Sequence, residues 1–277
     1  MSNEIDEQAG EIGELNDSTL EKDRHFVTAL ARGLDVLSCF KPSERFLGNQ
    51  QISQRTNLPK PTVSRLTFTL TKLGFLSYSE ALGKYSLGTA ILSIGNAFLS
   101  SVSVRRLARP FMQELADNVS ASVSLGAPDR LDMVYIENCR SIASTFSLNL
   151  DVGSRLPIAT SSMGRAYLCA LPDIQRDRLL DILRKEQGDE WPKIKLGIEQ
   201  AQKEYEAHGF CLSIGEWKSD VNAVAVPFIP ADGSEVLSFN CGGPAFTLRR
   251  HTLEDHIGPQ LVALVNNIQS VLNRSQS

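Results

Sequence analysis

The sequence predicts an α+β chain: an N-terminal winged helix-turn-helix, a linker helix, and a larger C-terminal domain built on an antiparallel sheet with flanking helices. Three observations predict it. Near the N-terminus, three short segments carry apolar residues at helical steps and are followed by an alternating hairpin pattern. Beyond residue 120, strand-like runs mix with helical ones, and many of the strands follow one another as a meander. Charge divides the chain in the same place, with a small basic module ahead of a larger acidic one.

Residues 1–22 hold few apolar groups and many acids, the composition of a disordered tail. In "FVTALARGLDVLSCF", Val27, Leu30, Leu34, Leu37 and Phe40 recur at helical steps. Pro42 and Gly48 punctuate the loop that follows. "NQQISQRTN" gives a short second helix, with Ile52 inward and Asn57 near its end. Leu58 and Pro59 make the turn, and Pro61 suits the first turn of a third helix, where its missing N–H costs nothing. That helix runs from about Lys60 to Leu73 and stops at Gly74, with Val63, Leu66, Leu70 and Leu73 inward. "FLSYSEALGKYSLG" alternates around a polar turn containing Gly83, a hairpin signal. These elements make the winged module over 23–88. "TAILSIGNAFLSS" gives the linker helix over 89–103.

The C-terminal domain is expected over 104–277. It opens on the helix "VRRLARPFMQELADNVS". Strands are expected near "ASVSLGA", "RLDMVYIENC", "ASTFSLN", "GFCLSI", "NAVAVPFI" and "EVLSFNCGG". Helices are expected within 161–187, 196–208 and 250–273. No apolar run approaches the ~20 residues of a membrane span, and the acidic N-terminus lacks an export pattern. The five cysteines show no C-x-x-C spacing, so small reduced core residues in a cytoplasmic protein are the expectation.

The net charge of −4 hides an asymmetry. Residues 21–88 carry ten Lys and Arg against five acids, whereas residues 1–20 carry six acids and no base. Within the basic module, "LPKPTVSRLTFTLTKLGFL" sets apolar residues on one side of a helix and only hydroxyls and cations between them. The major groove admits one such helix, and acids on its outer face would repel phosphate. The candidate DNA contacts are Lys60, Thr62, Ser64, Arg65 and Thr69 on this helix, Gln51 on the helix before it, and Lys84 and Tyr85 in the hairpin. Arg65 is best placed to fork onto a guanine edge or a phosphate.

"ALARGLDVLSCF", "LPKPTVSRLTFTLTKLGFL" and "GKYSLGTAILSIG" resemble the DNA-binding domain of IclR-family transcriptional regulators. "LARPFMQELAD", "GSRLPIATSSMGRAYLCALP", "GFCLSIGEWKSDVNAVAVPF" and "CGGPAF" resemble that family's effector-binding domain, in the right order. The resemblance spans about residues 25–273. It implies a GAF-like sensor domain, operator DNA and a small organic acid as partners, and assembly as a dimer or a dimer of dimers.

In "RLPIATSSMGRAYLCALP" a helix is expected to start within Thr160–Ser162. The first N–H groups of a helix lack internal partners, and its dipole makes that end positive, so the Thr160–Gly164 stretch suits a carboxylate. The bland alternative is that these hydroxyls only cap the helix. The resemblance places Ser161, Ser162, Met163, Ser213, Ala223, Asn240 and Gly242 in the effector site. At the last four positions the best-known family pattern has an acid, a cysteine and two serines, and this chain has Ser, Ala, Asn and Gly. The wall is roomier and less polar, which favours a larger or aromatic acid over a two- or three-carbon keto acid. Tyr135, Phe146 and Phe239 are candidate aromatic walls.

The rivals are an enzyme and a sensor that docks a protein. No nucleophile elbow, phosphate loop or H-E-x-x-H motif is present, and His251 and His256 are five apart, off the spacing of a zinc pair. Glu216 and Asp220 are a conceivable carboxylate pair, better read as loop charges around Trp217. A protein-docking role leaves the cationic helix face unexplained. The expectation is a regulator with no catalytic residue, metal or cofactor.

Overall fold

The computed structural model describes residues 24–141 and 150–276. The expected tail over 1–22 and the strand expected at "ASTFSLN" lie outside them. The chain divides into two compact units, Met1–Ser101 and Val102–Ser277.

In the first unit, α1 (Thr28–Ser38), α2 (Asn49–Thr56) and α3 (Lys60–Lys72) close over buried Val36, Cys39, Leu47, Ile52, Val63 and Leu76. Each boundary has a local cause. The Gly48 N–H donates to the Gln51 side-chain oxygen at 3.0 Å and caps the start of α2. Asn57, at a φ of 57°, ends it in the left-handed region. Pro61 occupies the first turn of α3. β1 (Leu76–Ser79) pairs antiparallel with β2 (Lys84–Leu87) around Gly83, whose φ is 61°. Leu47 adds one bridge to Tyr85.

The inward stripe of α3 differs from the one its apolar spacing suggests. Thr67 is fully buried, and its hydroxyl donates to the Val63 carbonyl at 2.9 Å. Leu73 lies past the last helical residue and is 62% exposed. Val63, Thr67 and Leu70 fall at i, i+4 and i+7, so the stripe runs through a polar residue. On α1, Val36 enters the core while Leu30 and Leu34, and Val27 just before the helix, stay exposed. α4 (Ala90–Ser101) buries none of its residues and leaves Leu92, Ile94 and Phe98 exposed.

The second unit runs α5 (Ser103–Val119), β3 (Ser122–Asp129), β4 (Asp132–Arg140), β5 (Arg155–Pro157), α6 (Ser162–Ala170), α7 (Asp173–Gln187), α8 (Trp191–His208), β6 (Cys211–Ile214), β7 (Val221–Phe228), β8 (Leu237–Pro244) and α9 (Gly258–Gln276). Six strands form one antiparallel sheet in the order β5-β4-β3-β8-β7-β6. Two three-stranded meanders thus meet through β3 and β8. α5 and α9 pack together on one face, and α6 covers the other with α8 behind it. No helix among the described residues is long and apolar enough to cross a membrane. The five cysteines are free, with Cys169 and Cys211 thiols 3.6 Å apart.

A β-bulge decides which residues of β4 face α6. Leu125 pairs with Glu137, but Gly126 pairs with Tyr135, which leaves Ile136 extra. Glu137 therefore turns to the α5 side, where its buried carboxylate meets Arg109 and, at 3.0 Å, Arg105. Tyr135 turns to the α6 side. There α6 approaches very closely, because a Cβ on Gly164 would fall 2.2 Å from the Ile158 Cα. The obstacle is backbone and cannot swing aside. Gly164→Ala is expected to lower the unfolding free energy by about 3 kcal/mol, read by urea unfolding.

Candidate functional site

The outward side of α3 carries exposed Lys60, Ser64, Arg65 and Thr69, with Thr62 half-buried at its edge. The Thr69 hydroxyl donates back to the Arg65 carbonyl at 3.0 Å, which leaves its oxygen free to accept. Arg55 is held by Glu44 and by the Cys39 carbonyl. Lys60, Arg65 and Lys84 have no carboxylate partner among the described residues. Phe68 also stands on this side, 63% exposed, with the Lys72 ammonium 5.5 Å from its ring centroid. Its apolar character gave no hint of an outward position.

Two of the expected DNA contacts do other work. Gln51 is half-buried and caps α2 through its side-chain oxygen. Tyr85 packs into the core cluster, with its ring centroid 4.9 Å from that of Tyr78. The more exposed ring of the hairpin is Tyr78, at 46%.

The second unit holds a pocket of about 450 Å³, counting its open mouth, lined by Ser122, Tyr135, Asn138, Leu150, Leu156, Ser161, Ser162, Ser213, Trp217, Val221, Ala223, Asn240 and Gly242. Strand register gathers these side chains. Ser122 lies opposite Gly242, Gly242 opposite Ala223, and Ala223 opposite Ser213, a single row across four strands. The Tyr135 hydroxyl reaches the Asn240 carbonyl oxygen at 3.4 Å, and the Ser124 hydroxyl donates to the Asn138 carbonyl oxygen at 2.9 Å. Burial pushes the Tyr135 phenol above its ordinary range, so it serves as a neutral hydrogen-bonding group.

The start of α6 forms one wall. The Gly164 N–H donates to the Ser161 hydroxyl oxygen at 3.1 Å, and that hydroxyl donates to the Pro157 carbonyl at 2.6 Å. The N–H groups of Ser162 and Met163, first in the helix, have no acceptor within it. The Ser162 hydroxyl is buried and has no hydrogen-bond partner among the described residues. The Ser213 hydroxyl donates to the Thr160 carbonyl at 2.8 Å, which ties β6 to this turn. The positive helix end and the unpartnered Ser162 hydroxyl thus meet in the pocket wall.

Of the expected effector-site residues, Tyr135, Ser161, Ser162, Ser213, Ala223, Asn240 and Gly242 line this one pocket. Others do not. Met163 is fully buried, its sulfur in the space that Gly126 leaves open. Gly164 packs on Ile158, and Thr160 contributes a structural carbonyl. Phe239 faces the other side of β8, edge-on to Phe228 at 6.0 Å. Phe146 lies outside the described residues. Ser122, Asn138 and Trp217 join the lining without having been expected there.

Beside the pocket, Arg165 is 2% exposed and forks onto Glu216, with Nη1–Oε1 at 2.7 Å and Nη2–Oε2 at 2.5 Å; Nη1 also donates to the Leu212 carbonyl at 3.2 Å. Burial raises the Glu216 carboxyl, but the bonds and charge of Arg165 outweigh it and hold it below its ordinary value. Glu216 is therefore engaged in an ion pair, and the conceivable pairing with Asp220 has no counterpart in the geometry.

The family model described as the IclR helix-turn-helix domain matches residues 29–80, and that of the bacterial transcriptional regulator IclR C-terminal domain matches residues 96–269. The chain belongs to the IclR family of transcriptional regulators. Among IclR-family relatives, the HTH-type transcriptional regulator TsaQ1/TsaQ2 of Comamonas testosteroni is 35% identical over 94% of this chain and 94% of its own. The Pca regulon regulatory protein of Pseudomonas putida is 31% identical over 87% of this chain and 82% of its own. The crystal structure of an IclR-family regulator from Brucella abortus is 50% identical, covers 90% of this chain and 94% of its own, and superposes with a TM-score of 0.82.

A carboxylate held below its ordinary value adds stability above that value and loses it as the pH falls. Glu216→Gln is therefore expected to be less stable than the parent at pH 7. The gap should close as the pH drops below about 4, read by urea unfolding at several pH values.

Proposed function

We propose that this regulator binds operator DNA through α3 and senses a small organic acid, aromatic in class, at the start of α6. The observation that carries the acid reading is the buried, unpartnered Ser162 hydroxyl beside the open N–H groups of the helix. A carboxylate supplies acceptors for all of them. Tyr135 and Trp217 in the lining support an aromatic body. A relative 24% identical over 89% of this chain and 92% of its own is named the p-hydroxybenzoate hydroxylase transcriptional activator of Acinetobacter baylyi.

On this reading the winged helix-turn-helix occupies 23–88, a linker helix 89–103 and a GAF-like sensor 104–277. The protein acts in the cytoplasm, without a cofactor or a catalytic step. It assembles as a dimer or a dimer of dimers. The exposed apolar side chains of α1 and its N-cap (Val27, Leu30, Leu34) and of α4 (Leu92, Ile94, Phe98) support a second copy as a partner. A dimer sets two copies of α3 in grooves ~34–36 Å apart, so the operator is roughly palindromic. Exposed Phe68 suits a thymine methyl, and Arg65 suits a guanine edge or phosphate. The acid binds one arrangement of the sensor better than another, and a coupling of ~1–3 kcal/mol shifts operator affinity about 5- to 150-fold.

Two measurements test this. Arg65→Ala is expected to weaken operator binding by ~1–3 kcal/mol in gel-shift titrations, and unchanged affinity would remove Arg65 from the interface. Calorimetry of the parent against aromatic and aliphatic acids is expected to find a binder that Ser161→Glu abolishes. A panel without a single binder would refute acid sensing.

A further inference from the structure

We infer that Trp217 is the side chain that makes the pocket prefer a flat aromatic acid, and that the Arg165–Glu216 ion pair holds it in the wall. This rests on the acid-sensing reading and adds the group that recognises the ring. Trp217 lines the pocket while packing against the hydrophobic core of the second unit. Its indole is the largest π surface among the described lining residues. Tyr135, the other aromatic among the described lining residues, turns its hydroxyl to Asn240.

The loop that carries Trp217 is fixed at several points. The Gly215 N–H donates to the Val221 carbonyl at 3.0 Å, and the Val221 N–H donates to the Lys218 carbonyl at 3.0 Å. Gly215 has a φ of 64°, which suits glycine. The Lys218 ammonium sits 4.4 Å from the indole centroid, a cation–π contact. Glu216, next to the indole, forks onto Arg165 of α6. Gly197 of α8 roofs the pair, since a Cβ there would meet Arg165 Nη2 at 2.2 Å and Glu216 Oε2 at 2.6 Å.

One helix thus fixes both ends of a ligand. The first turn of α6 faces the carboxylate, and one turn later Arg165 anchors the loop that presents the indole. Arg165 and Glu216 are positioning residues, and Trp217 makes the contact. A planar ring keeps a full face against the indole, whereas a puckered saturated ring of similar size does not.

The test compares benzoate with cyclohexanecarboxylate on the full chain, by calorimetry and by the emission of Trp217 in a Trp191→Phe background. In the parent, benzoate is expected to bind about tenfold tighter, the scale of one aromatic contact, and to change Trp217 emission. Trp217→Leu is expected to bring the ratio of the two affinities close to one, and Trp217→Phe to keep most of the preference. Glu216→Gln is expected to lower the ratio and to shift Trp217 emission towards that of a solvated indole. A Trp217→Leu protein that kept the benzoate preference would overturn this inference and leave acid sensing intact. So would Trp217 emission that saturating benzoate left unchanged, a reading that stands even if the leucine variant does not fold. A parent that binds neither acid overturns this inference, and acid sensing falls with it only if the wider panel also has no binder.

Discussion

Much of the second unit is arranged around one constraint: the first turn of α6 is buried against a sheet, and part of its hydrogen-bonding capacity is left open. A helix end out of water normally finds partners for its N–H groups. Here Ser161 meets one of them, and Ser162 keeps a buried hydroxyl without a partner among the described residues. An orphaned donor of this kind costs about 1–3 kcal/mol. Its place beside a positive helix end is what supports the proposed acid site, because an anion there would supply the missing acceptor.

The surrounding structure keeps the turn where it is. Gly164 lets α6 approach Ile158 to a distance no side chain tolerates, and Gly126 makes room for Met163. The bulge at Ile136 brings Tyr135 onto the pocket side while Glu137 stays with the arginines of α5. Ser213 bonds to Thr160 and ties the far strand to the same turn. Several of the residues around the site thus have packing roles, and the chemistry falls to fewer side chains than line it.

Much of this was legible in the sequence. Proline and glycine fixed the limits of α3 and the hairpin, because their conformational demands are local. The family resemblance pointed to Ser213, Ala223, Asn240 and Gly242, and strand register sets all four in the lining of one pocket. The failures share a cause as well, since they depend on partners distant in the chain. Trp217 reads as an ordinary loop aromatic until Arg165, 51 residues before Glu216, is seen to hold its neighbour. Tyr135 and Asn138 share a face only because a bulge shifts the register. Thr67 looks like a surface residue until Val63 and Leu70 place it in the middle of the buried stripe. Gln51 looks like a groove contact, yet a neighbouring N–H uses its oxygen first.

Amide hydrogen exchange of the full chain, with and without saturating benzoate, addresses the central claim most directly. Acid binding at α6 predicts slowed exchange at the Ser162 and Met163 N–H groups, which gain an acceptor only in the bound state. Unchanged exchange at those two amides, with protection appearing elsewhere in the sensor, would contradict it.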